Sequence, residues 1–151
     1  MRTKVAMSLG IIIFVLAMAA IQNFVSSMPV YSSVVVTRVV DGDTIVVEGG
    51  ERVRLLDIDT PEKGEPCSAN ATARLKELID GKEIGMESRG EDRDTYGRLL
   101  RYIYLNDTMI NLVMVREGWA NLYIYDKGPY YSYFVEAEQA AKAEKLCVWQ
   151  K

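Results

Sequence analysis

The sequence predicts an α+β fold, a five-stranded OB-type β-barrel with three α-helices, preceded by an N-terminal hydrophobic helix. Three observations lead there. Short β-branched runs punctuated by Gly and Asp fill the first half after the leader. Helical patterns are inserted after the third strand and again after the fifth, with no internal repeat. The first segment differs in kind from everything that follows. At 151 residues there is room for one domain and a short appendage.

The leader comes first. Met1 to Lys4 carries two cations, and Val5 to Ile21 then runs seventeen residues without a charge. Nothing amphipathic is present, so a helix on a soluble core is a poor match. The run is long for the apolar core of a signal peptide and short for a spanning helix. Two readings stay open: an export signal cut near Ala17–Ala20, or an uncleaved anchor holding the chain to a membrane through residues 5–25. Both keep the basic end inside and put the domain outside the cytoplasm, secreted or membrane-anchored. Residues 1–27 are therefore read as leader, 28–33 as a linker containing Pro29, and 34–151 as the folded domain.

Within the domain, "SVVVTRVV" and "TIVVE" flank Asp41-Gly42-Asp43 as a hairpin. Gly49-Gly50 turns the chain into "ERVRLLDI", a third strand, and a loop follows from Asp59 to Pro66. In "SANATARLKELID" the residues Ala71, Leu75, Leu78 and Ile79 share a helical face, with Gly81 as the stop. "KEIGMES" reads as a strand, Gly90 to Tyr96 as a polar loop, and "RLLRYIYL" as the fifth strand. "TMINLVMVRE" is the second helix, closed by Gly118. The last runs from about Ser132 to Leu146, with Glu138 and Lys142 spaced as a helical ion pair.

Composition narrows the chemistry. There is no histidine, which removes every imidazole base and most zinc sites. The two cysteines lie eighty residues apart, too few for a zinc cluster. With Arg2 and Lys4 set aside, 16 basic residues face 21 acidic ones, a net charge of −5. A general nucleic-acid binder is normally basic, so this balance argues against a passive DNA- or RNA-binding module.

Two acidic stretches remain, "VVDGDTIVV" and "RLLDIDTPEKGEPC". A hard divalent cation such as Ca²⁺ takes carboxylate and carbonyl oxygens. Asp43 begins one strand, and Asp59 and Thr60 follow the next. In an antiparallel pair those ends are neighbours, so Asp43 and Asp59 can converge. Glu62, behind the stiff Pro61, can face the same point. Taken singly, each stretch is also an ordinary turn sequence. Arg54 and Arg98 are singly ordinary surface cations.

Order and combination make the case. "VVDGDTIVV", "VRLLDIDTPE", "DTYGRLLRYIY", "NLVMVREGWANLYIY" and "AEQAAKAEKLCVW" resemble, in sequence order, the motifs of the staphylococcal nuclease (thermonuclease) family, from Val34 to Trp149. The resemblance implies a Ca²⁺-dependent hydrolase of DNA and RNA that breaks the 5′ P–O bond and leaves 3′-phosphates. It implies a cation held by Asp43, Asp59 and the carbonyl of Thr60, a catalytic Glu62, and phosphate-binding Arg54 and Arg98. Asp41 matches an acidic position that is not a direct ligand. Tyr123 and Tyr125 match a pair lining the nucleotide pocket, with plain rim or core packing as the equal alternative. The short "KGEPCSANA" after Glu62, and Thr95 where the staphylococcal type has lysine, imply weaker nonspecific affinity for nucleic acid. A noncatalytic nucleic-acid- or protein-binding module on the same fold is the alternative function, and the domain is expected to be monomeric. An oxidising location allows a disulfide between Cys67 and Cys147, against two buried free thiols.

Overall fold

A computed structural model describes residues 13–15, 32–124 and 127–150 of the chain. In order these form β1 (Ser32–Val39), β2 (Thr44–Val47), β3 (Arg52–Leu55), β4 (Ile58–Asp59), α1 (Ser68–Ile79) and β5 (Glu83–Arg93). β6 (Leu99–Leu105), β7 (Thr108–Met109), α2 (Ile110–Arg116), β8 (Asn121–Leu122) and α3 (Tyr131–Ala143) follow. Short 3-10 turns span Glu48–Gly50 and Cys147–Trp149. Of the leader, residues 13–15 are helical, and the rest of 1–27 lies outside the described residues, as do 28–31 of the linker. Among the described residues no helix is long and apolar enough to cross a membrane.

Five strands close into a barrel. β1 pairs antiparallel with β2 and β5, β2 with β3, and β5 with β6, and the parallel pair β3–β6 completes the ring. Closure removes the open strand edges that would otherwise template aggregation. Alternation in β3 sends Val53 and Leu55 into the core and Arg54 to the other face. β1 breaks the alternation, burying Val36 and Val39 three residues apart. A register shift between Val36 and Arg38 accounts for it, since one extra residue rotates the strand.

The helices cover the barrel. Ala71, Leu75 and Ile79 of α1 recur every four residues and are fully buried. Burying a leucine or isoleucine side chain stabilises the fold by about 1.5–3 kcal/mol each. α2 packs on α3 and β6, with Ile110, Met114 and Val115 inward, and α3 contributes Phe134, Ala137 and Ala141.

Four segments depart from the sequence reading. The third strand does not run to Ile58. It stops at Leu55, and the chain turns through Asp57 at φ 62° before β4 begins. The Asp57 carboxylate accepts from the Tyr102 hydroxyl and lies 3.5 Å from Arg89, and these partners hold the turn. Residues 108 and 109 are strand, not helix, because Met109 and Thr108 pair with Tyr104 and Leu105. The stretch read as a polar loop from Gly90 is still strand to Arg93, beyond a register shift between Ser88 and Arg93. The last helix ends at Ala143, and Lys145, at φ 53°, turns the chain into the 3-10 turn.

Candidate active site

The site is built on the β2–β3–β6 wall of the barrel. Thr44 pairs with Arg54, and Arg54 with Leu100. Arg98 has the same parity as Leu100, so the pleat puts Thr44, Arg54 and Arg98 on one face. Two turns abut that wall, Asp41–Asp43 before β2 and Asp59–Glu62 after β4.

Asp43 is the hub. Its Oδ2 accepts from the Thr60 amide at 2.9 Å and the Thr60 hydroxyl at 2.8 Å, and lies 3.3 Å from Arg54 Nη1. Its Oδ1 accepts from the Thr44 hydroxyl at 3.1 Å. The other end of the Arg54 fork donates from Nη2 to Asp59 Oδ1 at 2.8 Å. Nη1 also donates to the carbonyls of Leu55 and Ile58, at 3.0 and 2.8 Å. One guanidinium therefore spans both aspartates and clamps the turn that brings Asp59 back. That return, not a continuous strand, is how Asp43 and Asp59 converge.

Arg98 joins through Thr44, whose hydroxyl oxygen is 3.4 Å from Arg98 Nη1. Its guanidinium is aimed by Asp94, which accepts from Arg98 Nε at 2.6 Å and from the Arg98 and Tyr96 amides, both at 2.9 Å. Burial alone would raise the Asp94 carboxyl, but the bonds from Arg98 and Tyr96 outweigh it and hold it below its ordinary value. The exposed Tyr96 ring lies over Arg98, 5.3 Å from its guanidinium carbon.

Glu62 is exposed on the loop leaving Thr60 and lines a cavity of about 610 Å³ with Asp41, Asp43, Thr60, Glu65, Ser68 and Thr72 among others. Among the described residues its carboxylate makes no hydrogen bond or ion pair, while its amide donates to Glu65 Oε2 at 2.7 Å. The structure thus brings Asp43, Arg54, Asp59, Thr60 and Arg98 into one linked network, with Glu62 on the adjoining cavity wall.

Tyr123 stands apart from that network. Its amide donates to the Asp57 carbonyl at 2.9 Å, extending the β4–β8 ribbon that carries Asp59, and its ring is about half exposed. Tyr125 lies outside the described residues. Cys67 and Cys147 are disulfide-bonded, with Cα atoms 6.0 Å apart. Two participants were missed from sequence. Thr44 had a signal in its position after Asp-Gly-Asp, and Asp94 in the Asp-x-x-Gly turn closed by the Gly97 amide to the Asp94 carbonyl at 3.0 Å.

The charge pattern suits a hard cation. Burial, then the charge of Asp43, holds the Asp41 carboxyl above its ordinary value. Asp59 is held up by burial against the pull of Arg54, with Asp43 and Glu65 adding to the rise. Burial is the main cause at both carboxyls, with neighbouring acids adding to it. Among the described residues no three Cys, Asp or Glu side chains gather as a metal cage. The candidate set of two carboxylates and one backbone carbonyl is all oxygen, the donor class that Ca²⁺ takes, with water completing the shell.

Comparison with known proteins places the chain in a family. The staphylococcal nuclease homologue family matches residues 52–151. The chain is 39% identical over 130 residues to the SPbeta prophage-derived endonuclease YokF of Bacillus subtilis, covering 78% of this chain and 44% of that protein. It is 37% identical over 131 residues to the endonuclease YncB of the same organism, covering 79% and 62%. Against the micrococcal nuclease of Shigella flexneri it is 35% identical over 147 residues, covering 88% and 83%. The chain thus spans only part of the two Bacillus relatives. On the barrel, the linked network and these matches, the chain belongs to the staphylococcal nuclease homologue family.

Proposed function

We propose that this chain is a Ca²⁺-dependent phosphodiesterase that hydrolyses DNA and RNA and leaves 3′-phosphates. One observation carries it: a single Asp43 carboxylate is tied directly to Arg54 and Thr60, and through Thr44 to Arg98. Two guanidinium groups beside a cation-type oxygen set are wasted on cation binding alone, but they match a phosphate. The names of the relatives, endonuclease and micrococcal nuclease, support the same class.

Asp43, Asp59 and the Thr60 carbonyl would hold the cation. When bound it supplies charge neutralisation and polarises a non-bridging phosphate oxygen. Arg54 and Arg98 present planar forks to the phosphoryl oxygens, and both are pre-aimed by carboxylates, so little ordering remains to be done on binding. Glu62, with its carboxylate uncommitted at the cavity wall, orients a water and takes its proton as that oxygen attacks phosphorus. The P–O5′ bond breaks, leaving a phosphate on the 3′ side, while the departing 5′ oxygen takes a proton from solvent water to become a hydroxyl and Glu62 returns its proton to solvent. Tyr123 offers a half-exposed ring beside the Asp59 ribbon for a base or sugar to pack on. The uncharged run of residues 5–21 supports an extracytoplasmic domain, exported or held at a membrane, and we take it to act as a monomer.

Incubation of the full chain with plasmid and with RNA tests this. Cleavage in Ca²⁺, its loss in chelator, and fragments whose 3′ ends accept a polymerase only after phosphatase treatment are expected. No cleavage in Ca²⁺ overturns the enzyme reading, and chelator-resistant cleavage overturns the cation.

A further inference from the structure

We propose that the Cys67–Cys147 disulfide is a positioning device for Glu62, so that turnover depends on that bond remaining closed. This rests on the nuclease reading above.

The loop from Thr60 to Cys67 carries Glu62. Its upstream end is fixed, because the Thr60 amide and hydroxyl both bond to the buried Asp43. Its downstream end is held along the chain by the first turn of α1, where the Cys67 carbonyl accepts from the Ala71 amide at 2.9 Å. Residues 62 to 66 are all exposed, and no apolar side chain reaches the core again until Ala71. The hydrogen bonds there are local: the Glu62 amide to Glu65 Oε2, the Glu65 amide to the Glu62 carbonyl at 2.9 Å, and the Ser68 amide to the Glu65 carbonyl at 3.2 Å. They shape the turn and join it to the first turn of α1, and among the described residues they reach no other element. Cys67 precedes α1 without capping it through its side chain, and it holds φ 70°, a left-handed conformation that a cysteine does not choose unaided.

The bond to Cys147 ties that end of the loop to a second point besides α1. Cys147 is itself held. The Val148 amide donates to the Gly118 carbonyl at 3.1 Å, Leu146 packs so closely on Gly118 that a Cβ there would come within 2.5 Å of it, and Lys142 lies 4.3 Å from the Trp149 ring centre. Cys67 is thus tied to the junction after α2 and to the end of α3. The cavity beside Glu62 is walled by this loop and by Ser68, Ala69 and Thr72 of α1, so release of Cys67 alters both at once. The hydrogen bonds of Asp43, Arg54, Asp59 and Arg98 run to one another and to Thr44, Thr60, Asp94 and the Leu55 and Ile58 carbonyls, not to residues 62–67. Its opening therefore acts on the step served by Glu62 and leaves cation and phosphate binding in place.

The test compares the oxidised full chain, the reduced chain, and the Cys67→Ser/Cys147→Ser variant. Expected on reduction is a fall in kcat of about tenfold or more, the scale of a small misplacement of a catalytic group. KM and the calorimetric Kd for Ca²⁺ should stay within about twofold, because neither binding set moves. Far-UV circular dichroism should hold, and reoxidation should restore kcat. Unchanged kcat makes the bond a plain staple and overturns the proposal, as does an equal loss of kcat and Ca²⁺ affinity with the helical signal kept. An oxidised chain that cleaves nothing fails the nuclease reading instead. Hydrogen exchange on the oxidised chain decides the matter even where reduced forms unfold. The Glu62, Glu65 and Ser68 amides should exchange at least about tenfold slower than unprotected amides. Unprotected rates there overturn the anchoring.

Discussion

At the scale of single residues, the charged candidates stood out only through the resemblance of several motifs in order, since each alone is an ordinary turn residue or surface cation. Asp43 and Asp59 stood in turns, and Arg54 stood between two apolar residues of a strand. Their supports were not legible, since a hydroxyl shared by two partners, as in Thr44, leaves no mark on composition. Gly42 is such a support. A Cβ there would lie 2.8 Å from Thr60 Cγ2 and Oγ1, so Gly42→Ala must push Thr60 off Asp43. Overpacking of this kind costs about 1–3 kcal/mol. The expected outcome is a melting-temperature loss together with a weaker Ca²⁺ Kd by calorimetry. Gly49→Ala is the contrast: the space around it is open but φ is 82°, so about 1 kcal/mol of stability should go with Ca²⁺ affinity unchanged. Glu62→Gln should lower kcat by about a hundredfold or more while leaving the Ca²⁺ Kd alone. A parallel loss of both would make it a ligand. Arg98→Lys should lower kcat/KM, because lysine has no fork to seat on Asp94 and phosphate together, and steady-state kinetics on a short oligonucleotide would show normal values if Arg98 is outside the site.

At the scale of elements, the long periodic segments were readable and the two-residue strands were not. β4, β7 and β8 are too short to show a period, and each exists because tertiary pairing imposes it. The same holds for the split after β3, where Tyr102 and Arg89 stabilise an Asp57 conformation that no local pattern announces. Asn111 shows how such elements are joined. It is fully buried at the start of α2, accepts from the Ile103 amide at 2.8 Å, and donates to the carbonyls of Leu56 and Arg101 at 3.0 and 3.2 Å. One amide thus fastens helix, strand and turn, and in the sequence it is merely a polar residue inside an apolar run. Asn111→Ala strands the buried Ile103 amide and the half-buried Leu56 carbonyl, while the Arg101 carbonyl keeps the Leu56 amide at 2.9 Å. A loss of about 2–4 kcal/mol is expected in urea unfolding, since each orphaned group carries its own desolvation cost. A change below the scatter of that measurement would mean that water replaces the side chain.

At the scale of the molecule, α1 is fastened twice to one junction. At its start Cys67 is bonded to Cys147, and two turns on, Arg74 donates from Nε and Nη2 to the Glu117 carboxylate at 2.6 and 2.7 Å. Glu117 also accepts from Trp119 Nε1 at 2.9 Å and ends α2. Closing so long a loop as Cys67 to Cys147 contributes about 4 kcal/mol at most by chain entropy. The Arg74 link is weaker but sensitive to acid. Its bond from Arg74 holds the Glu117 carboxyl below the ordinary 4.5, with burial opposing and Trp119 assisting. A depressed folded value means that the native chain binds fewer protons than the unfolded one, so this stability is complete above about pH 4.5 and disappears as pH falls through the folded value. Wild type should therefore exceed Glu117→Gln by about 1 kcal/mol at pH 7, a bidentate pair at a partly exposed site. The gap should close as pH falls through the depressed value. Urea unfolding of both proteins at pH 7, 5, 4 and 3 measures it. A gap that persists unchanged at the lowest pH would show that Glu117 acts by packing alone, and a gap that opens toward acid would reverse the sign and exclude the ion pair as the tie between α1 and the end of α2.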